Sequence, residues 1–143
     1  MNDKEFLKLA VEQSELSVEQ GRFPAGAVVV LDNEVIASEM SDTYPGYQHA
    51  ECRAIDKAFQ KRGKLVGATL YASMEPCLMC LTRAYWSGIR KILFAIPRGR
   101  MPKEYYEGVY DNSELIGVFN EKVQLVHIKE LEEEAMKVVR IWQ

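Results

Sequence analysis

The chain has 143 residues, 48% of them apolar and 27% charged, with a formal net charge of −3. That size and balance suit a single globular domain, residues 1–143, with its own core. The acidic excess argues against a general nucleic-acid binder, which carries a basic surface, and no apolar run approaches the ~20 residues that span a bilayer.

The start, MNDKEFLKLA, is charged and amphipathic without a signal-peptide core, so a cytoplasmic protein is expected. Phe6, Leu9, Ala10 and Leu16 fall near helical spacing and the run closes at Gly21, which predicts a helix from Asp3 to about Gln20. AGAVVVLDNEVIAS holds two β-branched runs around Asp32-Asn33 and predicts a hairpin, Ala27–Leu31 and Glu34–Ser38. SDTYPGYQ reads as a loop. HAECRAIDKAFQKRG predicts a second helix with a stripe of Ala54, Ile55, Ala58 and Phe59, stopped by Gly63. ATLYAS is a third strand. EPCLMCLTRAYWSG opens with Pro76 just before a predicted helix, as suits a first turn, and closes at Gly88. KILFAI is a fourth strand, and Pro97 to Asn120 reads as irregular. KVQLVHI is a fifth strand and KELEEEAMKVVRIW a final helix. Strands interleaved with helices imply an α/β fold, with a mixed sheet covered on both faces. There is no internal repeat or interdomain linker.

One of the two histidines and all three cysteines fall within HAECRAI and MEPCLMC. Catalytic zinc sites take three protein ligands and leave a position for water. His49, Cys77 and Cys80 make such a set: the two thiols, three residues apart at a helix start, can converge on one point. Two helix N-termini would then face the ion, and their dipoles favour the thiolates a metal needs. Glu51, two residues from His49, does not share its helix face and is a poor fourth ligand. A carboxylate there suits a proton shuttle. Two other readings stand beside this one. Cys77 and Cys80 could form a thioredoxin-like redox pair, or Cys52 could close a structural zinc site; as a small buried hydrophobe, Cys52 needs neither. His127, alternating with apolar residues, reads as a surface or hydrogen-bonded structural histidine.

At these residues the chain resembles the zinc-dependent cytidine deaminase superfamily, whose signature is H-x-E…P-C-x-x-C. Here it reads His49-Ala50-Glu51 and Pro76-Cys77-Leu78-Met79-Cys80, and FPAGAVVV is similar to a P-x-G-A-V segment of the family. The resemblance covers nearly the whole chain. It implies a three-layer α/β/α sandwich on a mixed five-stranded sheet, zinc held by His49, Cys77 and Cys80, and Glu51 as proton shuttle. The reaction implied is hydrolytic deamination of an aromatic base: water attacks the amino-bearing carbon, and Glu51 protonates a ring nitrogen and then the departing ammonia. The family's habit of pairing through the zinc helices implies a homodimer.

Within the superfamily the chain looks like the branch of tRNA adenosine deaminases, guanine deaminases and fungal-type cytosine deaminases. Ser41, followed by Asp42, stands where the first two groups carry a base-holding Asn, and Ser cannot make the same two-sided amide contact. CLTRAYWSG resembles the zinc helix of guanine deaminases, with Trp86 six residues after the second cysteine. YYEGVYDN resembles a later segment of theirs whose last Asp faces the base, which makes Asp111 the match. Phe23, Ser41, Ala50, Trp86 and Asp111 are thus the candidate base contacts. Trp86 and Phe23 are equally explicable as core packing. The loop tyrosines Tyr44, Tyr47, Tyr105, Tyr106 and Tyr110 are expected mainly on the surface or at a dimer contact, with one or two at the pocket. A free nucleobase or nucleoside is the expected substrate, guanine slightly ahead of cytosine. The rivals are a tRNA adenosine deaminase, disfavoured by the acidic balance, and a zinc-binding scaffold without activity, disfavoured by the retained Glu51.

Overall fold

The computed structural model describes residues 1–143. Helix α1 spans Asp3–Glu19. The Asn2 side chain accepts from the Glu5 N–H and the Glu5 carboxylate accepts from the Asn2 N–H, so two of its unpaired first-turn donors are satisfied. Strands β1 (Gly26–Leu31) and β2 (Glu34–Met40) form the hairpin. Asp32 and Asn33 both have positive φ (52° and 62°), as a two-residue turn matched to strand twist requires. Helix α2 spans Ala50–Arg62, β3 Thr69–Met74, α3 Leu78–Ser87 and β4 Lys91–Ile96. A five-residue helix α4 (Asn112–Ile116), β5 (Gln124–His127) and α5 (Glu132–Trp142) complete the chain.

The sheet order is β2-β1-β3-β4-β5. β1 is antiparallel to β2 and β3, while β3, β4 and β5 run parallel. The parallel steps need crossovers, which α3 supplies between β3 and β4. Alternation along the strands sends Val28, Val30, Tyr71 and Leu93 to one face, beneath α1 and α5. Val29, Leu70 and Ile92 go to the other, beneath α2 and α3. The expected mixed five-stranded sheet with helices on both faces is therefore present. Gly26 lies so close to α1 that a Cβ would collide with the Ala10 carbonyl and the Ser14 nitrogen. That contact locks the first helix onto the sheet. No helix is long and apolar enough to cross a membrane.

Several boundaries differ from the sequence reading. Pro76 stands just before α3, as expected, but Cys77, read as part of the first turn, is the N-cap of a helix that starts at Leu78. α5 starts at Glu132, because Lys129–Leu131 winds as a 3₁₀ turn. α4 falls inside the segment read as irregular, being too short to show a period and held by its Asp111 cap. Leu16 and Phe59, placed on apolar stripes by spacing, are exposed.

Candidate metal centre and cleft

His49 and Cys77 are the N-caps of α2 and α3, and neither side chain bonds its own helix end. Both are thereby free to face one another. His49 Nε2 lies 2.9 Å from the Gly46 carbonyl. A carbonyl oxygen only accepts, so Nε2 carries the proton and Nδ1 faces the thiols. Nδ1 is 3.4 Å from Cys77 Sγ and 3.6 Å from Cys80 Sγ. The three ligand atoms lie within 4.8 Å of one another. One imidazole nitrogen and two sulfurs, converging with one face open to a cleft, fit zinc.

Without an ion, Cys77 alone leans toward its ligand form, while His49 and Cys80 hold their protons. A hydrogen bond with Cys80, together with His49 and against burial, pulls the Cys77 thiol down to about 6. The Cys77 hydrogen bond pushes His49 up to about 9. Burial pushes Cys80 well above its ordinary range. The proton at His49 Nδ1 is the one an ion would displace. Glu51, 6% exposed in the first turn of α2, borders the same cleft, and burial raises its carboxyl to about 7. Cys52 is buried, with Sγ 3.1 Å from Cys80 Sγ, and does not belong to the converging set.

Since Cys77 does not cap α3, other groups do. Glu107 accepts from the Leu78 and Met79 N–H groups at 3.3 and 3.0 Å, and the Tyr110 hydroxyl accepts from Leu78 N–H at 2.8 Å while donating to Glu107 at 2.7 Å. Burial works against the Glu107 carboxylate, but these bonds hold it down at about 2.

The cleft has a volume of about 350 Å³. Four carboxylate residues, Glu51, Glu75, Glu104 and Glu107, border it, and no Lys or Arg does. Phe23, Tyr44 and Tyr105 form an aromatic wall. Phe23 stacks on Tyr44 at 5.2 Å and meets Tyr105 edge-on at 5.0 Å. Trp142, from the last turn of α5, packs against all three rings.

The candidate base contacts divide. Phe23 and Ser41 line the cleft, and Ser41 rather than Asp42 reaches it. Asp42 instead faces Arg53 at 3.6 Å. Ala50 is buried in the core under α2 and does not border the cleft. Trp86 is 84% exposed, beside Phe59 on the outer side of α2 and α3, neither core nor cleft. Trp86 does fall in the last turn of α3, but its side chain is on the exposed face, while Ala84 and Ser87 of the same turn are buried. Asp111 caps α4, accepting from the Ser113 N–H at 2.9 Å, and borders a neighbouring cavity. Four tyrosines, Tyr44, Tyr47, Tyr105 and Tyr106, line the cleft where one or two were expected. His127 bonds the Ala95 carbonyl and Glu132, at 3.0 and 2.9 Å, as a structural histidine does. The sequence reading missed Glu75, Glu104, Glu107, Asn112 and Trp142. Only Glu75, next to Pro76 in the motif, carried a signal.

Residues 1–96 match the family model described as the cytidine and deoxycytidylate deaminase zinc-binding region. A probable cytosine deaminase of Schizosaccharomyces pombe is 33% identical over 104 residues, covering 71% of this chain and 64% of that protein. A guanine deaminase of Bacillus subtilis is 38% identical over 101 residues, covering 66% of this chain and 65% of that protein. The match thus spans a little under two thirds of the length of these relatives. A solved structure from work on A-to-I editing by tRNA:A34 deaminases at the wobble position of transfer RNA superposes with a TM-score of 0.76. It is 25% identical and covers 94% of this chain and 99% of that one.

Proposed function

This chain belongs to the cytidine and deoxycytidylate deaminase zinc-binding family, and on that premise we propose that it is a zinc-dependent hydrolytic deaminase of a free nucleobase or nucleoside. The observation that carries the reading is the convergence of His49 Nδ1 and the Cys77 and Cys80 sulfurs on a cleft that also holds Glu51.

His49, Cys77 and Cys80 would hold the zinc, the two thiolates balancing its charge. When bound, zinc supplies Lewis-acid activation of the attacking water. Glu51 takes one proton from that water and gives it to a ring nitrogen of the base; it then takes the second proton, from the hydroxyl now bonded to carbon, and gives it to the amino group, which leaves as ammonia as the carbonyl forms. Phe23 and Tyr44 offer flat faces on which the ring stacks. The Ser41 hydroxyl stands at the cleft wall as a single donor and acceptor for a base edge.

The charge of the cleft supports a small substrate without phosphate. Phosphate recognition draws on Lys, Arg or free backbone N–H groups. Here the cleft is bordered by four Glu and no basic side chain except His49, and the α3 N–H groups are occupied by Glu107 and Tyr110. The same charge counts against a tRNA substrate. The case for guanine over cytosine weakens, since Trp86 and Asp111, which motivated it, both lie outside the cleft. The homodimer belongs to this reading too, with the exposed Trp86 and Phe59 on the outer face of α2 and α3 as its contact surface.

The test is ammonia release across cytosine, guanine, adenine, their nucleosides and their 5′-monophosphates. Turnover of a base or nucleoside, with little of its monophosphate, is the expected result. Turnover confined to nucleotides or to a tRNA anticodon hairpin would sink the substrate reading. Zinc-loaded protein inert on the whole panel and on that hairpin would favour the scaffold alternative.

A further inference from the structure

Glu75 and Pro76 join β3 to the helix carrying the two cysteines. Their polar atoms are held from several elements at once. The Glu75 N–H donates to the Ile96 carbonyl at 2.8 Å, and the Tyr106 hydroxyl donates to the Glu75 carbonyl at 2.7 Å. The Arg98 N–H donates to Glu75 Oε1 at 2.9 Å. The Asn112 side-chain nitrogen donates to Glu75 Oε2 at 2.8 Å and to the Pro76 carbonyl at 2.9 Å.

Asn112 is fully buried. Both of its neighbours are acceptors, so the amide nitrogen, with two N–H groups, must face them. The amide oxygen is then left buried without a hydrogen-bond partner. Orphaned buried acceptors are uncommon because they cost stability. Here the amide keeps both N–H groups on the turn at the expense of its own oxygen. Pro76 has no N–H, so the turn cannot anchor itself through that residue's nitrogen. Asn112 holds the Pro76 carbonyl from α4, and the next residue is Cys77.

We propose that Asn112 is a positioning residue for the metal centre: by gripping Glu75 and Pro76 it sets where Cys77 presents its sulfur. The inference rests on the reading of His49, Cys77 and Cys80 as the zinc ligands. Groups that orient a ligand typically shift metal affinity or activity by about 10–100-fold when removed.

The experiment compares the zinc-loaded parent with Asn112→Asp, an isosteric change that places an acceptor against two acceptors. Asn112→Ser, which keeps one donor, serves if the first variant does not fold. Asn2→Ala is the control: it removes the cap of α1, remote in sequence, and lowers stability without touching the turn. Zinc transfer to a chromophoric chelator is followed well below each melting temperature, together with the thiolate-to-metal absorption of the cobalt-substituted proteins. The expected result is transfer about 10–100-fold faster in the Asn112 variants, with an altered thiolate band, and parental behaviour in Asn2→Ala. A folded Asn112 variant with parental transfer and spectrum, or one no faster than Asn2→Ala, would overturn the proposal. A parent chain that takes up no zinc would overturn the ligand assignment beneath it instead.

Discussion

His49 donates through Nε2 to the Gly46 carbonyl at 2.9 Å, and that bond turns Nδ1 toward the two thiols. The loop before α2 therefore decides which ring nitrogen is available. The purified protein is expected to hold about one zinc per chain. Cys80→Ala removes one of the three proposed ligands from a fully buried position and should lose most of the metal along with part of the fold's stability, since binding free energy is folding free energy at such sites. Metal analysis and thermal melts with and without chelator check both parts. An active parent protein with no metal would end this reading.

Glu51→Gln keeps the shape of the buried side chain and removes its proton transfer. Zinc content should stay parental while kcat falls ~10²–10⁴-fold, the range for losing a general acid–base. Near-normal turnover would make Glu51 a structural residue.

Phe23→Ala and Asp111→Ala should separate the cleft from its surroundings. Loss of the Phe23 ring removes a stacking face and should raise KM about 3–10-fold, from the ~0.5–1.5 kcal/mol of an aromatic pair. Asp111→Ala should leave KM within about twofold and cost ~1 kcal/mol of stability, the usual loss for an N-cap. Steady-state kinetics beside denaturant titration reads both, and a large KM rise in the Asp111 variant would return that residue to the substrate.

The Tyr71 hydroxyl donates to Asp3 at 2.5 Å, and Lys91 lies 3.3 Å from the same carboxylate. The tyrosine hydrogen bond, aided by Lys91 against slight burial, lowers the Asp3 pKa. A carboxylate lowered in the folded state adds stability above its unfolded value near 4, and that stability is lost as pH falls through the folded value. Asp3→Asn should therefore cost stability at pH 7, by less than ~1 kcal/mol because the group is mostly solvated. Parent and variant should converge as pH falls below 3. Burial first, and the Asp3 contact second, raise the Tyr71 pKa. Its contribution is full below pH ~10 and falls as pH rises toward the folded value. Denaturant midpoints from pH 2 to 11 test both limbs, and a gap between parent and variant that widens toward low pH would contradict the assignment.

The convergence of His49, Cys77 and Cys80 beside Glu51 was legible in the sequence because its geometry is local. C-x-x-C at a helix start brings two sulfurs together through helical pitch alone, and H-x-E at another start sends the carboxylate to a different side from the imidazole. The β-branched runs around Asp32-Asn33 likewise announced the hairpin, since strand preference and turn chemistry are local properties of the chain. The walls of the cleft were not legible. Phe23, Tyr44, Tyr105 and Trp142 meet from four separate segments, and nothing periodic relates them. Trp86 and Asp111 sat at persuasive spacings, yet the Trp86 side chain faces outward and Asp111 is consumed in capping α4. Asn112 had no signal at all: its role depends on a five-residue helix folding back onto Pro76. Sequence spacing carries chemistry as far as one helix turn or one strand reaches; beyond that distance the path of the loops decides which side chains share the cleft.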